Sequence, residues 1–279
     1  MKEALLRPYI DYFIERIHSE ECVDNSSMRY YVTADVHGFF TPLAAALESA
    51  GYFTDTSPHK LIILGDLFDR GKEAQRLQDF ILDLMRRDEV ILIKGNHEDL
   101  FVEMVTTDQG LAYNHHISNG TFDTALQLTG YDPIMARLRH YDFADAAKDT
   151  PLYQKIIPSM LDYYETRKYI FVHGWIPCIR ERNGDFSYVT AWRDSDEREW
   201  SKARWYNGMA AAAQGVTEGG KTVLCGHWHT SFGHSCMEGK GSEFGADADF
   251  SPFYGPGIIA MDACTAHSGT VNCVVLEDE

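Results

Sequence analysis

Positive charge is scarce in this chain. Lys and Arg number 25 against 42 Asp and Glu, a formal net charge of −17 over 279 residues. Such a surface repels a polyphosphate backbone, which argues against a broad nucleic-acid grip or an anionic-membrane surface; a small anionic substrate at a local cation site stays open. Long apolar runs are missing too. No stretch approaches the ~18 residues a membrane helix needs. Met1 to Glu21 is interrupted by Arg7, Pro8, Asp11, Glu15 and Arg16, so it lacks the apolar core of a signal peptide. The six cysteines (Cys22, Cys178, Cys225, Cys236, Cys264, Cys273) form no C-x-x-C pair. Without an export signal they read as reduced thiols, and the expected location is the cytoplasm. The sequons at Asn25 and Asn119 are then chance matches. Neither an internal repeat nor a low-complexity linker occurs. With 44% hydrophobic and 24% charged residues, disorder, collagen and coiled coil are out.

What is present is a rhythm. Tyr9, Ile10, Phe13, Ile14 and Ile17 follow a helical period after Pro8, so 1–27 is expected to be a helical N-terminal segment. Then strand-like runs alternate with amphipathic helices. Tyr30 to Ala34 leads into Asp35-Val36-His37-Gly38 and an Ala-rich helix near Pro42 to Ala50. Leu61 to Leu64 ends in Gly65-Asp66, before a helix with Leu77, Phe80, Ile81, Leu84 and Met85 on one face. Val90 to Ile93 ends in Gly95-Asn96-His97-Glu98, before Leu100, Phe101, Met104 and Val105. This alternation predicts an α/β fold with a largely parallel sheet and its functional loops beyond the strand C-termini. The middle, about 108–167, reads as a helical cap or insert, with Asn114 to Gly120 as a loop and helix-like stretches at Phe122 to Leu128 and Leu152 to Tyr164. Strands return at Tyr169 to Val172, before His173-Gly174, and at Thr222 to Cys225, before Gly226-His227-Trp228-His229. Phe232 to Gly257 reads as a long surface loop. Gly257 to Asp262 and Val271 to Leu276 read as closing strands.

Five strand ends finish in residues able to bind metal: Asp35 with His37, Asp66, Asn96, His173, and His227 with His229. Carboxylate, imidazole and amide oxygen suit divalent Mn, Fe, Zn or Mg, and the absence of thiolate argues against structural zinc. The donors outnumber the needs of one ion, and Asp66 is a sensible bridge. Two ions ~3.5–4 Å apart can hold a hydroxide between them and clamp phosphate oxygens.

In order and spacing, Asp35-Val36-His37-Gly38, Gly65-Asp66-Leu67-Phe68-Asp69-Arg70-Gly71, Gly95-Asn96-His97-Glu98, His173-Gly174 and Gly226-His227-Trp228-His229 resemble the motifs of calcineurin-like metallophosphoesterases. The Asp-Arg-Gly resembles the phosphoprotein phosphatase branch, whose bacterial and phage members include Ser/Thr/Tyr phosphatases and symmetrical diadenosine tetraphosphatases. Asn119-Gly120-Thr121 resembles that branch's Asn-Gly-Gly, His173 to Pro177 its His-Gly-Gly-x-x-Pro shortened by one residue, and Ile259 to Asp262 its late Ile-Asp strand end. The match covers roughly 30–275.

The resemblance implies one domain over 1–279, a β-sandwich flanked by helices with a helical insert and a di-metal centre, manganese being the leading metal. It implies Asp35, His37 and Asp66 at one site and Asp66, Asn96, His173 and His227 at the other. His229 would join the first, although the phosphatase branch usually lacks that second His. His97 is implied as general acid, oriented by Asp69, with Arg70 and Asn96 on the phosphate. A second phosphate-binding Arg is expected, Arg204 first and Arg193 second. His115, His116, His234 and His267 read as surface or loop residues, Glu98 as a carboxylate favoured at a helix N-terminus, the aromatic 200–206 stretch as packing, and Glu238 to Asp249 as a solvated acidic face.

The function these residues point to is phosphomonoester hydrolysis by hydroxide held between two metals, in a Ser/Thr-type protein phosphatase. The alternative is a symmetrical bis(5'-nucleosyl)-tetraphosphatase. A nuclease ranks below both for want of a basic stripe, and so does a non-catalytic metal-binding module, because every ligand, His97 and Arg70 are present.

Overall fold

The computed structural model describes residues 28–107 and 112–278. The expected N-terminal helix, Cys22 and the first residues of the insert lie outside the described residues. Eleven strands are described: β1 Arg29–Thr33, β2 His59–Leu64, β3 Val90–Ile93, β4 Tyr164–Glu165, β5 Tyr169–Phe171, β6 Ile179–Arg180, β7 Phe186–Ser187, β8 Thr222–Cys225, β9 Phe253–Gly255, β10 Ile258–Ala260 and β11 Val274–Glu277. They form a four-stranded sheet in the order β11-β1-β2-β3, a five-stranded sheet in the order β4-β5-β8-β10-β9, and the small β6-β7 ribbon. In each large sheet three neighbouring strands run parallel: β1, β2 and β3 in one, β5, β8 and β10 in the other. The edge strands β11, β4 and β9 pair antiparallel.

The sandwich follows from a period of two in strands that are apolar on both faces. Tyr30, Val32, Ile62 and Leu64 point inward and meet Phe171, Leu224 and Ile259 of the second sheet. The alternate residues Tyr31, Leu61 and Ile63 point outward, onto Leu43, Leu47, Leu77, Ile81 and Leu84. On the far side Ile170, Val223, Cys225, Ile258 and Ala260 meet Trp175, Trp192, Trp200 and Met209. Each fully buried Leu or Ile contributes about 1.5–3 kcal/mol, and a one-residue slip would exchange the two layers. The alternating rhythm alone pointed to one largely parallel sheet. The strands instead divide into two mixed sheets, because each inner face needs an apolar partner and finds it in the other.

The helices flanking the first sheet are α1 Phe40–Ser49, α2 Ala74–Arg86 and α3 Asn96–Thr106. The insert supplies α4 Ala112–Asn119, α5 Thr121–Thr129, α6 Pro133–Leu138 and α7 His140–Lys148. Residues 114–119 are therefore helical rather than a loop. The helix packs against α3 and α5 and buries His116 completely, a tertiary contact that no apolar stripe announces. The expected helix from Leu152 shrinks to short turns over Leu152–Ile156 and Ile157–Ser159, where Pro158 removes a donor and stops propagation. The second sheet is covered by α8 Glu197–Ala203 and α9 Gly208–Ala213. The stretch read as loop 232–257 begins with a helical turn at Gly233–Met237 and ends in the edge strand β9. The last strand starts at Val274, later than expected. No helix among the described residues is long and apolar enough to cross a membrane.

Candidate active site

The loops leaving β1, β2, β3, β5 and β8 meet at one edge of the sandwich. Their backbone is strained. Among the described non-glycine residues eight have positive φ, and six of them are Asp35, His37, Asp66, Asp69, Arg70 and His227. Left-handed backbone is costly for such residues and persists only where the surroundings enforce it. Here neighbouring loops do so: His37 N–H donates to Asp66 O at 2.9 Å, Gly38 N–H to Leu67 O at 2.7 Å and Gly71 N–H to His37 O at 2.8 Å. Glu98 adds a clamp. Its carboxylate accepts from Gly95 N at 2.8 Å, Asp66 N at 3.1 Å and Leu67 N at 3.0 Å, so it satisfies a backbone donor at the start of α3 and ties the second motif to the third. Glycine is needed where backbone abuts a ligand: a Cβ at Gly226 would strike the Asp35 carboxylate, and one at Gly95 that of Asp66.

Two donor clusters result. His37, Asp66 and His97 form one, and Asp66, His173 and His227 the other; within each, the ligand atoms lie within 4.8 Å of one another. Asp66 is common to both. His37 faces Phe68 O with Nδ1 at 3.0 Å and His173 faces Leu64 O with Nδ1 at 2.7 Å, so in each ring Nδ1–H is the donor and the Nε2 lone pair faces the cluster. His173 Nε2 lies 2.8 Å from Asn96 Oδ1 and 3.3 Å from Asp66 Oδ1, which brings Asn96 into the group. Asp35 Oδ2 accepts from His227 N at 2.9 Å, while its buried Oδ1 has no protein donor.

The electrostatics call for positive charge. Burial raises Asp35 well above the usual carboxylate range, and Asp262 and Asp66 push it further. Asp262 is raised to about 6, again by burial first. Glu98 is raised to about 7 by burial and then by Asp66. Burial also works against charge on Asp66, but positive charge on the imidazoles around it, His173 first, outweighs burial and holds that carboxyl well below its ordinary value, so rings that give up their protons leave Asp66 in need of another cation. Burial drives His37 and His173 down, and His227, with His173 beside it, to about 3, so these rings are neutral lone-pair donors. Neutral imidazoles, buried carboxylates and an orphaned carboxylate oxygen fit hard or borderline divalent cations.

His97, a member of the first cluster, also pairs with Asp69. His97 Nδ1 lies 2.6 Å from Asp69 Oδ2, leaving Nε2 to face the site. Burial opposes protonation of His97, but Asp66 and Asp69 prevail and its pKa is raised. Arg70 reaches inward, with one terminal nitrogen 2.8 Å from His37 Nε2 and the other 3.2 Å from His97 Nε2.

Asp35 lies outside both donor clusters, the first of which contains His97 instead, and two further expected site residues stand apart from them. His229 Nε2 pairs with Glu243 Oε1 at 3.2 Å, and its Nδ1 faces Ser231 Oγ at 2.8 Å. Arg204, 2% exposed, directs its terminal nitrogens to Asp99, Glu197 and Asp162. Arg193 makes a two-pronged bond to Glu165, at 2.8 Å on each arm. His116 and His234 are buried, not surface residues. Within the aromatic 200–206 stretch Trp200 packs in the core, but Trp205 is 46% exposed with its ring 5.7 Å from that of His227. Sequence reasoning did not find Thr121 and Thr124, whose hydroxyls donate to the Asp69 carboxylate; hydroxyls that meet a carboxylate over fifty residues away leave no local pattern.

The calcineurin-like phosphoesterase family matches residues 28–231 of the chain. Curated relatives include the asymmetrical bis(5'-nucleosyl)-tetraphosphatase PrpE of Anoxybacillus flavithermus and that of Geobacillus thermodenitrificans. Each is 25% identical over 132 residues, covering 45% of this chain and 52% of the relative. The chain thus spans about half the length of the curated relatives it matches. Among solved structures a cold-active protein tyrosine phosphatase superposes with a TM-score of 0.52 at 14% identity, covering 91% of this chain and 75% of the other, a likeness of fold.

Proposed function

The chain belongs to the calcineurin-like phosphoesterases, a metal-dependent family of phosphoester hydrolases, and from that premise we propose that it hydrolyses phosphomonoesters at a binuclear metal centre, as a Ser/Thr-type protein phosphatase. The observation that carries this reading is the Asp66 carboxylate shared by both donor clusters. Asp35, His37 and Asp66 would hold one ion, and Asp66, Asn96, His173 and His227 the other. Bound divalent ions, manganese foremost, would supply Lewis-acid charge and a water acidic enough to attack phosphorus near neutral pH. Arg70 places a planar, permanently charged fork over the site and matches two phosphate oxygens. His97 Nε2 hands its proton to the departing oxygen, and Asp69 keeps the ring oriented through Nδ1. The free thiols of Cys178, Cys225, Cys236, Cys264 and Cys273 support the cytoplasm as its compartment.

A second reading has its own observation. Trp205 and Trp228 are 46% and 36% exposed, with rings 5.7 and 6.1 Å from that of His227. Flat apolar faces beside a phosphate site suit nucleobases, which stack on aromatics with about 1–3 kcal/mol each. This supports a dinucleoside tetraphosphate as the alternative substrate, the class that the curated relatives are named for. The test is a panel under saturating manganese. Phosphopeptides hydrolysed much faster than diadenosine tetraphosphate support the first reading, and the reverse supports the second. Two ADP as products would mark symmetrical cleavage, ATP with AMP asymmetrical. Protein that carries two ions and cleaves neither substrate would refute both.

A further inference from the structure

Of the threonines on the helices of the first sheet and the insert, Thr106 and Thr129 turn their hydroxyls back to the carbonyl four residues earlier, at 2.7 Å each. That is the usual fate of a helical threonine. Thr121 and Thr124, at the start of α5, do otherwise, as Thr41 in the first turn of α1 does toward Glu73. Thr121 Oγ1 donates to Asp69 Oδ2 at 2.7 Å, the oxygen that also faces His97 Nδ1. Thr124 Oγ1 donates to Asp69 Oδ1 at 2.9 Å and accepts from Asp69 N at 2.9 Å, so its proton has one direction to go. Asp69, Thr121 and Thr124 are all buried.

The rest of the same helix holds the same loop. Gly120 lies so close to Arg70 that a Cβ would strike the Arg70 nitrogen. Gln127 accepts from Ala74 N at 3.0 Å and donates to Gly71 O at 2.9 Å. Lys72 pairs with Asp123 at 2.5 Å. The N-cap of α5 is Gly120, with no side-chain cap, so neither hydroxyl is needed to begin the helix.

We propose that Thr121 and Thr124 are positioning residues for phosphoester cleavage: together they hold the Asp69 carboxylate so that His97 presents Nε2 to the leaving oxygen. This rests on the reading of His97 as general acid. A carboxylate with one donor can rotate about its Cα–Cβ and Cβ–Cγ bonds. Held at both oxygens and at its own backbone N–H, it cannot turn without breaking buried bonds. The insert thereby becomes part of the catalytic apparatus.

The experiment compares Thr121→Val and Thr124→Val with Thr121→Ser and Thr124→Ser, in the full chain with manganese. p-Nitrophenyl phosphate provides a leaving group that departs without a proton, and a phosphoserine peptide one that needs it. The valine variants are expected to lose ~10–100-fold in kcat on the peptide, a part of the usual range for general acid catalysis. They should lose little on p-nitrophenyl phosphate, with KM unchanged on both, and the serine variants should stay near wild type. Equal losses on both substrates, or none, would overturn the proposal. If valine prevents folding, Thr121→Ala against Thr121→Ser gives the same contrast without added bulk. A second readout needs no turnover: in chelated protein the carboxylate-bonded Nδ1–H of His97 gives a downfield proton resonance, expected to persist with serine and to broaden or vanish with valine or alanine. A resonance indifferent to all of these changes overturns the proposal. Should His97→Asn itself show no leaving-group dependence, the general-acid reading fails, and this resonance still decides whether the threonines hold the pair.

Discussion

The two sides of the site are built differently. On the donor side, Asp35, Asp66, Asn96, His173 and His227 each follow a strand end, and the parallel pairing of the strands carries those ends to one edge. On the acid side, so named for the role proposed for His97, Asp69 and His97 rest on a strained loop and a helix start, and the insert contacts Asp69 through Thr121 and Thr124. Sheet register places the first group to within a residue. Hydroxyls from a separate helix place the second. It follows that damage to the donor side should abolish function outright, whereas damage to the acid side should be graded and dependent on substrate.

Asp66→Asn makes the sharpest break. The shared carboxylate is the one negative ligand common to both clusters, and an amide neither carries its charge nor bridges cations as readily. We expect metal analysis to find both sites empty and turnover to fall to background. One ion retained at full occupancy would show that the residue does not bridge. His97→Asn tests the other side. Metal content should remain, and kcat on an alkyl phosphoester should fall ~10²–10⁴-fold, the range for a lost general acid. Unchanged turnover with normal metal content would remove His97 from the mechanism.

The same contrast explains what could be read from the sequence. A ligand after each apolar strand, in a known order, is a local signal, and all five strand-end motifs carry it. The outward and inward strand faces were hidden, because Tyr30 and Tyr31 look alike as letters although they enter different layers. Thr121 and Thr124 were hidden as well, since nothing in Thr-Phe-Asp-Thr points to a carboxylate on another loop. Trp205 reads in the sequence as packing like Trp200, because neighbouring aromatics do not reveal which one the helix end turns outward. Glu98 was legible as a carboxylate at a helix start, but not as the clamp that binds Asp66 N and Leu67 N.

Arg204 is the case where a motif position and an ion-pair position cannot be told apart from sequence. Its two terminal nitrogens reach Asp99, Glu197 and Asp162, which leaves the buried Nε without a partner. Arg204→Met should therefore lower stability by about 1–3 kcal/mol, less than the loss of a fully buried pair because the carboxylates are partly exposed. KM for phosphoesters should hardly change. A tenfold rise in KM without a change in melting temperature would return Arg204 to the phosphate.

The smallest effect is expected at His229, one residue beyond the Trp that follows His227. Its two nitrogens are engaged by Glu243 and Ser231, and its ring lies 4.7 Å from that of Phe244, itself 55% exposed. Ser231 passes the contact on to the Glu243 carbonyl at 2.7 Å, which ties His229 to the acidic loop. His229→Ala should leave two ions bound and alter kcat by less than threefold, about 0.6 kcal/mol at the conversion of 1.36 kcal/mol per tenfold, while the 238–249 loop becomes more open to proteolysis. Loss of one ion would place His229 among the ligands after all. It would also mean that His229 parts from Glu243 when metal binds, making the donor side depend on the 238–249 loop much as the acid side depends on the insert.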